Sequence, residues 1–168
     1  MTDSSPAATP AKKTVAIFVD VQNIYYTCRQ GFQRSFDYNS FWAYAGSSHD
    51  IICANAYAID SGNEKQRQFQ NILRAIGFQV KLKPYIQRKD GSAKGDWDVG
   101  ITIDALEVGS QADKVILLSG DGDFDLLVDK LRAKYHCAVE VLGVEQLTAN
   151  SLLIACDKFT AIDQQFLL

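Results

Sequence analysis

Apolar, β-branched runs alternate with helical patterns along most of the chain, and this alternation limits the possible folds more than any other feature. Strands are predicted over residues 14–19, 51–59, 78–84, 114–119 and 137–144. Helices are predicted over residues 64–75, 97–108, 124–131 and 148–156, with more in the aromatic-rich region 24–50, and residues 87–96 are predicted to form a loop. Buried strands that alternate with helices form parallel sheets with helices on both faces. The sequence therefore predicts an α/β fold, a three-layer doubly wound sheet of about five parallel strands.

The 168 residues fit one domain, because 47% are hydrophobic and 22% are charged. Residues 1–13 are polar, small and proline-containing, and lack the apolar segment of a signal peptide. We therefore expect a disordered N-terminal arm over residues 1–13 and a single domain over residues 14–168. No apolar run approaches the length of a membrane span. The sequence predicts a cytoplasmic protein without a membrane partner.

Cysteine and histidine usage argues against zinc chemistry. The four cysteines are far apart, with no C-x-x-C pair, and are interpreted as small buried hydrophobes. The two histidines have no convincing partner, so histidine-based acid–base catalysis is poorly supported. A net charge of −3 argues against a protein that coats nucleic acid by bulk electrostatics, but it does not exclude a local basic patch.

Aspartates stand where predicted strands end. Asp20 directly follows the first strand, Asp121 and Asp123 follow the fourth, and Asp98 opens the helix that leads into the fourth strand. In an open parallel sheet, ligands bind beyond the carboxyl ends of the strands, at the point where the strand order reverses. We therefore expect these acids to meet at one edge of the sheet.

An acidic cluster of this kind favours a hard cation. Carboxylates about 4 Å apart repel by roughly 1 kcal/mol even in water, so the group must share protons or bind a cation. Oxygen ligands without histidine or cysteine select Mg²⁺ or Mn²⁺. Asp20, Asp98 and Asp121 are predicted to be metal ligands, and Asp123 a ligand or a supporting group. The chemistry predicted from this site is phosphodiester hydrolysis.

Structural explanations compete with this interpretation. Asp123 is suited to cap a helix that starts at Phe124, and Asp98 to serve the N-terminus of its own helix. The D-x-D-x-D spacing also resembles a calcium loop, but Leu126 occupies its glycine position and Arg132 its glutamate position. Asp104 lies six residues after Asp98, so we expect it on another face of the helix.

A basic segment leads into the acid-bearing helix. Residues 81–94 contain five lysines and arginines and one acid. Arg88, Lys89 and Lys94 are therefore predicted to attract a polyanion, although a solvated loop would show the same composition. Trp97 is predicted to contact substrate, and Tyr25 and Tyr26 are further candidates for stacking on unpaired bases. Core packing is the alternative for all three aromatic side chains.

Three segments in order, "FVDVQNI", "KGDWDVGITID" and "LLSGDGDFDLLVDKL", resemble the motifs of the NYN domain family in its LabA-like branch. The tail "SLLIACDKFTAI" is similar to the segment that ends these domains, so the resemblance runs from about Val15 to Ile162. It implies a PIN-like, Rossmann-like fold related to nucleases that use a carboxylate-bound Mg²⁺. It also implies RNA cleavage.

The resemblance assigns residues by position. Asp20 matches the first catalytic acid, Asn23 its accompanying polar residue, and Asp98 the acid after the Lys-Gly pair. Asp121 and Asp123 match the acids of S-G-D-x-D-F. Many relatives have one residue between the glycine and the second acid, whereas here Asp96 and Trp97 intervene, so Asp96 competes for the ligand role.

Further expectations concern the residues around these acids. Ser119 and Gly120 are expected to shape the turn, with Gly120 permitting close approach of the backbone to phosphate. Asn23 either orients water or phosphate or makes a capping contact at the first helix.

The favoured function is a Mg²⁺- or Mn²⁺-dependent ribonuclease that acts on RNA, in particular single-stranded RNA. The alternative is an RNA- or protein-binding regulator of the same fold with little or no turnover. A phosphatase or receiver domain is disfavoured because no D-x-D-x-T-like signature follows the first strand. No nucleotide cofactor is expected, because the chain lacks the usual glycine-rich phosphate loops. The oligomeric state stays open, with a homodimer as one option.

Overall fold

The computed structural model describes residues 12–84, 86–87, 93–94 and 96–168. For residues 86–87 and 93–94, the backbone alone is described. The elements in chain order are β1 (Lys13–Asp20), α1 (Val21–Phe32), α2 (Tyr38–Gly46), β2 (His49–Asp60), α3 (Glu64–Ile76), β3 (Gln79–Pro84), β4 (Ile86–Gln87), β5 (Ala93–Lys94), α4 (Asp98–Gly109), β6 (Lys114–Leu118), α5 (Asp125–Tyr135), β7 (Ala138–Gly143), α6 (Asn150–Ala155) and β8 (Lys158–Ala161). Short 3₁₀ turns cover Gly122–Phe124, Glu145–Leu147 and Gln164–Phe166.

The main sheet has six parallel strands in the order β3-β2-β1-β6-β7-β8. The chain winds outward from β1 to β3, returns to the centre at β6, and winds the other way to β8. This arrangement confirms the predicted doubly wound α/β fold. The helices predicted in region 24–50 are also present, as α1 and α2.

Two features differ from the sequence prediction. The sixth strand, β8, was not expected, because it has only four residues and none of them is fully buried. A strand of this kind has no continuous apolar run to reveal it. The predicted loop over residues 87–96 contains the short strand β5, which pairs antiparallel with β4. Residues 88–92 lie outside the described part, as do residues 1–11 of the predicted N-terminal arm.

Alternating side chains of the central strand separate two hydrophobic cores. Val15, Ile17 and Val19 of β1 face α1, α2 and α3, whereas Ala16 and Phe18 face α4, α5 and α6. Helices therefore cover both faces, which gives the three layers. The four cysteines are free thiols, and Cys28 and Cys137 are fully buried, as expected for small core residues. In the described part of the chain, no helix has both the length and the hydropathy needed to cross a membrane.

A buried ion pair lies on the half of the sheet formed by β6, β7 and β8. Glu140 of β7 is completely buried, and its Oε1 lies 2.5 Å from Lys114 Nζ of β6. Its Oε2 accepts hydrogen bonds from Tyr44 Oη and Thr160 Oγ1, both at 2.6 Å. Burial alone would raise the pKa of Glu140, but Lys114 and then the hydrogen bonds from Thr160 and Tyr44 hold it below its ordinary value. One carboxylate therefore joins three neighbouring strands to α2.

Candidate metal centre

The acidic edge lies where the strand order reverses. β1 and β6 are adjacent and parallel, with Val19 opposite Leu118, so Asp20 and Ser119 emerge side by side. The chain leaves β1 towards one edge of the sheet and leaves β6 towards the other. The structure thus places Asp20 and the turn that carries Asp121 at the predicted switch point.

Three carboxylates converge at this edge. Asp98, Asp121 and Asp123 each offer one oxygen atom, and these atoms all lie within 4.8 Å of one another. Asp98 and Asp121 are half-buried, and Asp123 is exposed. The group brings together the start of α4 and the turn after β6, which are distant in the sequence. Asp20 is not one of the three, although the sequence analysis placed it among the ligands.

Ser119 connects the carboxylate of Asp20 to the backbone of the turn that carries Asp121. Its side chain is fully buried, and its Oγ donates a hydrogen bond to Asp20 Oδ2 at 3.3 Å. The same Oγ accepts a hydrogen bond from the backbone N–H of Asp121 at 3.1 Å. Asp20 also accepts from the backbone N–H of Asn23 at 3.3 Å and so caps α1. One hydroxyl therefore fixes the spacing between the two strand-end acids.

Burial and mutual repulsion raise the pKa of two of these acids. Burial raises the pKa of Asp20 from 3.8 to about 6, against the opposing hydrogen bonds from Asn23 and Ser119. Burial, followed by the negative charges of Asp121 and Asp96, raises the pKa of Asp98 from 3.8 to about 7. A cation at this edge would reverse both effects.

Helix capping follows a different pattern from the prediction. The expected cap was Asp123 at a helix that begins with Phe124, but the turn from Gly122 to Phe124 is a 3₁₀ turn that precedes α5. Asp121 caps this turn, because its Oδ1 accepts the backbone N–H of Asp123 at 2.9 Å. The carboxylate of Asp123 therefore does not cap the helix and belongs instead to the three-carboxylate group.

Asn23 and Gly120 hold the acidic turn against its neighbours. Asn23 Oδ1 accepts the backbone N–H of Gly120 at 2.9 Å, so the amide anchors the turn to α1. A side chain at Gly120 would meet the backbone oxygen of Leu147 at 2.7 Å, and Ala149 N donates to Gly120 O at 2.9 Å. Glycine is thus required here by the close approach of the segment after β7. The expected contact with phosphate stays a prediction.

Asp104 and Asp96 were uncertain from the sequence. Asp104 accepts hydrogen bonds from Lys81 Nζ at 2.6 Å and Tyr57 Oη at 2.8 Å. Burial would raise the pKa of Asp104, but these two donors lower it below its ordinary value. Asp96 is exposed and lies close enough to raise the pKa of both Asp20 and Asp98. Asp104 is therefore occupied by an ion pair, whereas Asp96 borders the acidic edge.

Trp97 is packed at the start of α4. Its indole N–H donates to the backbone oxygen of Ala58 at 2.8 Å, and its ring centre lies 5.3 Å from that of Tyr57. Lys83 Nζ lies 4.5 Å from the centre of the Trp97 ring. These contacts place α4, and with it Asp98, against the end of β2. Arg88, Lys89 and the side chain of Lys94 lie outside the described residues, so their predicted contacts with substrate stay predictions.

The donor set at this edge fits a hard divalent ion. Asp98, Asp121 and Asp123 offer carboxylate oxygens within 4.8 Å of one another, and burial and the neighbouring negative charges raise the pKa of Asp98. Magnesium and manganese prefer such oxygen ligands, whereas zinc and copper prefer nitrogen or sulphur. The three carboxylates could therefore hold a divalent ion, and its identity as Mg²⁺ or Mn²⁺ stays a prediction.

Known proteins resemble this chain over most of its length. Residues 14–163 match the family described as NYN domain. The chain is 29% identical over 153 residues to the Low amplitude and bright protein LabA of Synechococcus elongatus, and the alignment covers 86% of this chain and 81% of LabA. The crystal structure of a protein of unknown function from Vibrio parahaemolyticus RIMD 2210633 has a TM-score of 0.91 and 55% identity, covering 96% of this chain and 100% of the other. The chain therefore belongs to the NYN domain family, and its similarity to LabA agrees with the LabA-like branch expected from its motifs.

Proposed function

We propose that the chain is a Mg²⁺- or Mn²⁺-dependent ribonuclease that hydrolyses phosphodiester bonds in RNA. The observation that carries this proposal is the meeting of Asp98, Asp121 and Asp123 within 4.8 Å at the switch point of the sheet. Membership of a nuclease-like family supports the same conclusion. An acidic edge repels RNA unless a cation is bound, so the proposal requires the metal.

Each acid has a distinct part in this proposal. Asp98 and Asp121 would hold the ion together with Asp20, directly or through water, and Asp123 would complete or support the site. A bound divalent ion supplies charge neutralisation at the phosphate and activation of the attacking water. Asn23 and Ser119 keep the acids in place through their hydrogen bonds to Gly120, Asp20 and Asp121.

Positive charge beside the acids supports a nucleic-acid substrate. Lys83 Nζ donates to the backbone oxygen of Asp96 at 3.1 Å and lies over the ring of Trp97. A phosphate that approaches the start of α4 would meet this ammonium group. Single-stranded RNA is the proposed form, because its unpaired bases are free to contact protein side chains. The cytoplasmic location and a homodimer stay predictions.

The direct test is cleavage of a labelled RNA in Mg²⁺ or Mn²⁺ by the wild type and by Asp121→Asn. Asparagine caps a helical turn as well as aspartate does, so the variant keeps the turn and loses only the charge. We expect cleavage to fall by more than about 100-fold, since even outer partners of metal ligands cost 10- to 100-fold when changed.

The matched control is Asp129→Asn, an exposed acid on α5 that is not one of the three converging carboxylates. Its cleavage rate should equal that of the wild type. Equal cleavage by Asp121→Asn and wild type would contradict the proposed function.

One observation favours the second candidate, a binding regulator with little turnover. Asp20 lies outside the three-carboxylate group, and the acid after the Lys-Gly pair is displaced in the sequence by one residue. Calorimetric titration with Mn²⁺ separates the candidates. No binding of Mn²⁺ together with intact binding of RNA would support the regulator and contradict the nuclease.

A further inference from the structure

A cavity opens on the sheet face covered by α1 and α3, directly beside the acidic edge. Its volume is about 630 Å³, within the range of pockets that hold small organic ligands. Val21 and Gln22, the two residues after Asp20, line one side, and Ala58 and Ile59 at the end of β2 line another. Asp20 lies opposite Tyr57 in the sheet, and the lining residues Val21 and Ala58 directly follow these two. The cavity therefore begins next to Asp20.

Aromatic rings form much of the wall: Tyr25, Tyr26, Phe36, Tyr38 and Phe69. Tyr25 and Tyr26 are 52% and 59% exposed, and their rings stand at 78° to each other with centres 5.3 Å apart. The two rings form an edge-to-face pair, and about half of each side chain is exposed and available to a flat ligand. Trp97 differs, because Lys83 lies over its ring and Tyr57 packs beside it.

A buried amide side chain lies in the wall of the cavity. Gln70 of α3 is 5% exposed and lines the cavity, yet its side chain makes no hydrogen bond within the described part of the chain. Of its polar neighbours in the wall, Gln66 accepts from Ser61 and Asn63 caps α3. A polar group that enters the cavity would lie beside the Gln70 side chain, whose amide can both donate and accept.

The lining also indicates the charge of the ligand. Of the described lining residues, Lys65 alone has a charged side chain. An anionic group in the cavity would therefore meet little compensation. A neutral planar group with adjacent donors and acceptors matches an aromatic wall that contains an amide side chain.

We propose that this cavity receives one unpaired base of the RNA strand whose backbone crosses the acidic edge, stacked on Tyr25 and hydrogen-bonded to Gln70. That the ligand is an RNA strand rests on the proposed function. Val21 and Asp20 are consecutive, with Cα atoms about 3.8 Å apart, so a base in the cavity and a phosphate at the acids belong to neighbouring parts of one strand. The cavity thereby fixes which phosphate reaches the acids.

The test is a scan of a short single-stranded RNA in which each nucleotide in turn lacks its base. Binding is measured by fluorescence anisotropy in Ca²⁺, which accepts the same carboxylate oxygens and so neutralises the acidic edge, and each RNA is checked on a gel to be uncut. With wild-type protein, the missing base at one position should weaken binding by about 5-fold or more, the usual effect of losing one stacked base. The other positions should have smaller effects.

Two variants locate this effect in the cavity. Gln70→Met keeps the length of the side chain and removes the amide, and Tyr25→Ala removes an exposed ring without disturbing the core. Each should reduce the penalty at that one position. Gln68→Met is the matched control, because Gln68 is an exposed residue of α3 outside the cavity. It should behave like the wild type.

An unchanged penalty in both variants, or no position-specific penalty in the wild type, would overturn the proposal. Cleavage of the intact RNA in Mn²⁺ by the same preparations separates the two hypotheses. Cleavage without a position-specific penalty would contradict the cavity alone, whereas a penalty without cleavage would contradict the nuclease alone. Failure to bind any of the RNAs would contradict both.

Discussion

Asp98 combines partial burial with close negative neighbours. It lies in the first turn of α4, where the helix dipole stabilises a negative charge. Its pKa is nevertheless raised to about 7, first by burial and then by the charges of Asp121 and Asp96. Burial and repulsion therefore outweigh the helix dipole at this residue. In the absence of a cation, ionised Asp98 opposes folding.

We expect Asp98→Asn to stabilise the metal-free protein and to abolish cleavage. The gain should be only about 1 kcal/mol, because Asp98 is partly exposed and solvent screens its charge. For a chain of this size, that corresponds to a rise in Tm of about 2–4 °C. Thermal unfolding in EDTA at about pH 8 measures this change. Asp129→Asn should leave Tm unchanged, and a lower Tm for Asp98→Asn would show that its charge is compensated in the fold.

The turn between β6 and α5 depends on elements on both sides of it. Asn23 of α1 accepts a hydrogen bond from the backbone of Gly120, and Ser119 accepts one from the backbone of Asp121. Leu147 and Ala149 pack against Gly120. Two of the three converging acids belong to this turn. Their spacing therefore depends on hydrogen bonds made by residues that carry no charge.

We expect Asn23→Ala to weaken both the fold and the cation site. The change leaves the partly buried backbone N–H of Gly120 without a partner, which costs about 1–3 kcal/mol. Denaturant unfolding should show this loss, and calorimetry should show weaker Mn²⁺ binding. Gln30→Ala, at an exposed position of the same helix, is the control. Wild-type Mn²⁺ affinity in Asn23→Ala would rule out the anchoring role.

The strands and the acids at their ends were predictable because both depend on local patterns. Four strands were recognised from apolar runs and β3 from its alternating pattern, and Asp20 and Asp121 from their positions after two of the apolar runs. β8 was missed, because its four partly exposed residues are too few to show either signal. The exchange of caps between Asp123 and Asp121 also escaped prediction, because a 3₁₀ turn precedes α5.

The contacts that the sequence did not reveal are non-local. The burial of Gln70 could have been predicted, because it stands beside apolar residues of a helical stripe. The cavity that it lines could not, because the cavity forms only where α3 meets α1. The ion pair between Lys81 and Asp104 likewise joins β3 to α4. The register of distant elements decides such contacts, and a single sequence does not state it.

The metal-free molecule has an unusual dependence of stability on pH. Asp20 and Asp98 have folded pKa values of about 6 and about 7, above the ordinary 3.8. Between pH 3.8 and these folded pKa values, the folded state therefore binds more protons than the unfolded state. Stability falls as pH rises through this range. Asp104 and Glu140 have lowered pKa values, so their contributions are lost only when pH falls into the acidic range.

We expect Tm in EDTA to decrease from about pH 5 to about pH 8, because Asp20 and Asp98 lose their protons in that interval. For Asp20 the full effect, from below pH 3.8 to well above pH 6, is on the order of 3 kcal/mol, and roughly half of it falls between pH 5 and pH 8. Mn²⁺ should cancel or reverse the decrease, since it binds the deprotonated acids. The pKa of His49 is lowered mainly by burial, so this residue makes stability rise with pH. The pH scan is therefore made in the His49→Gln variant, which lacks this opposing contribution. The same slope with and without Mn²⁺ would contradict a cation site at this edge.

Asp20 precedes Ser119, its partner across the acidic edge, by 99 positions, and Asp98 arrives on a separate helix. A ribosome must therefore synthesise most of the polypeptide before any divalent ion finds its complete set of ligands. Ion binding would then stabilise finished copies by mass action and leave partly made ones unaffected. If the protein cuts RNA as proposed, transcripts near the ribosome are protected from incomplete copies by the order of synthesis alone.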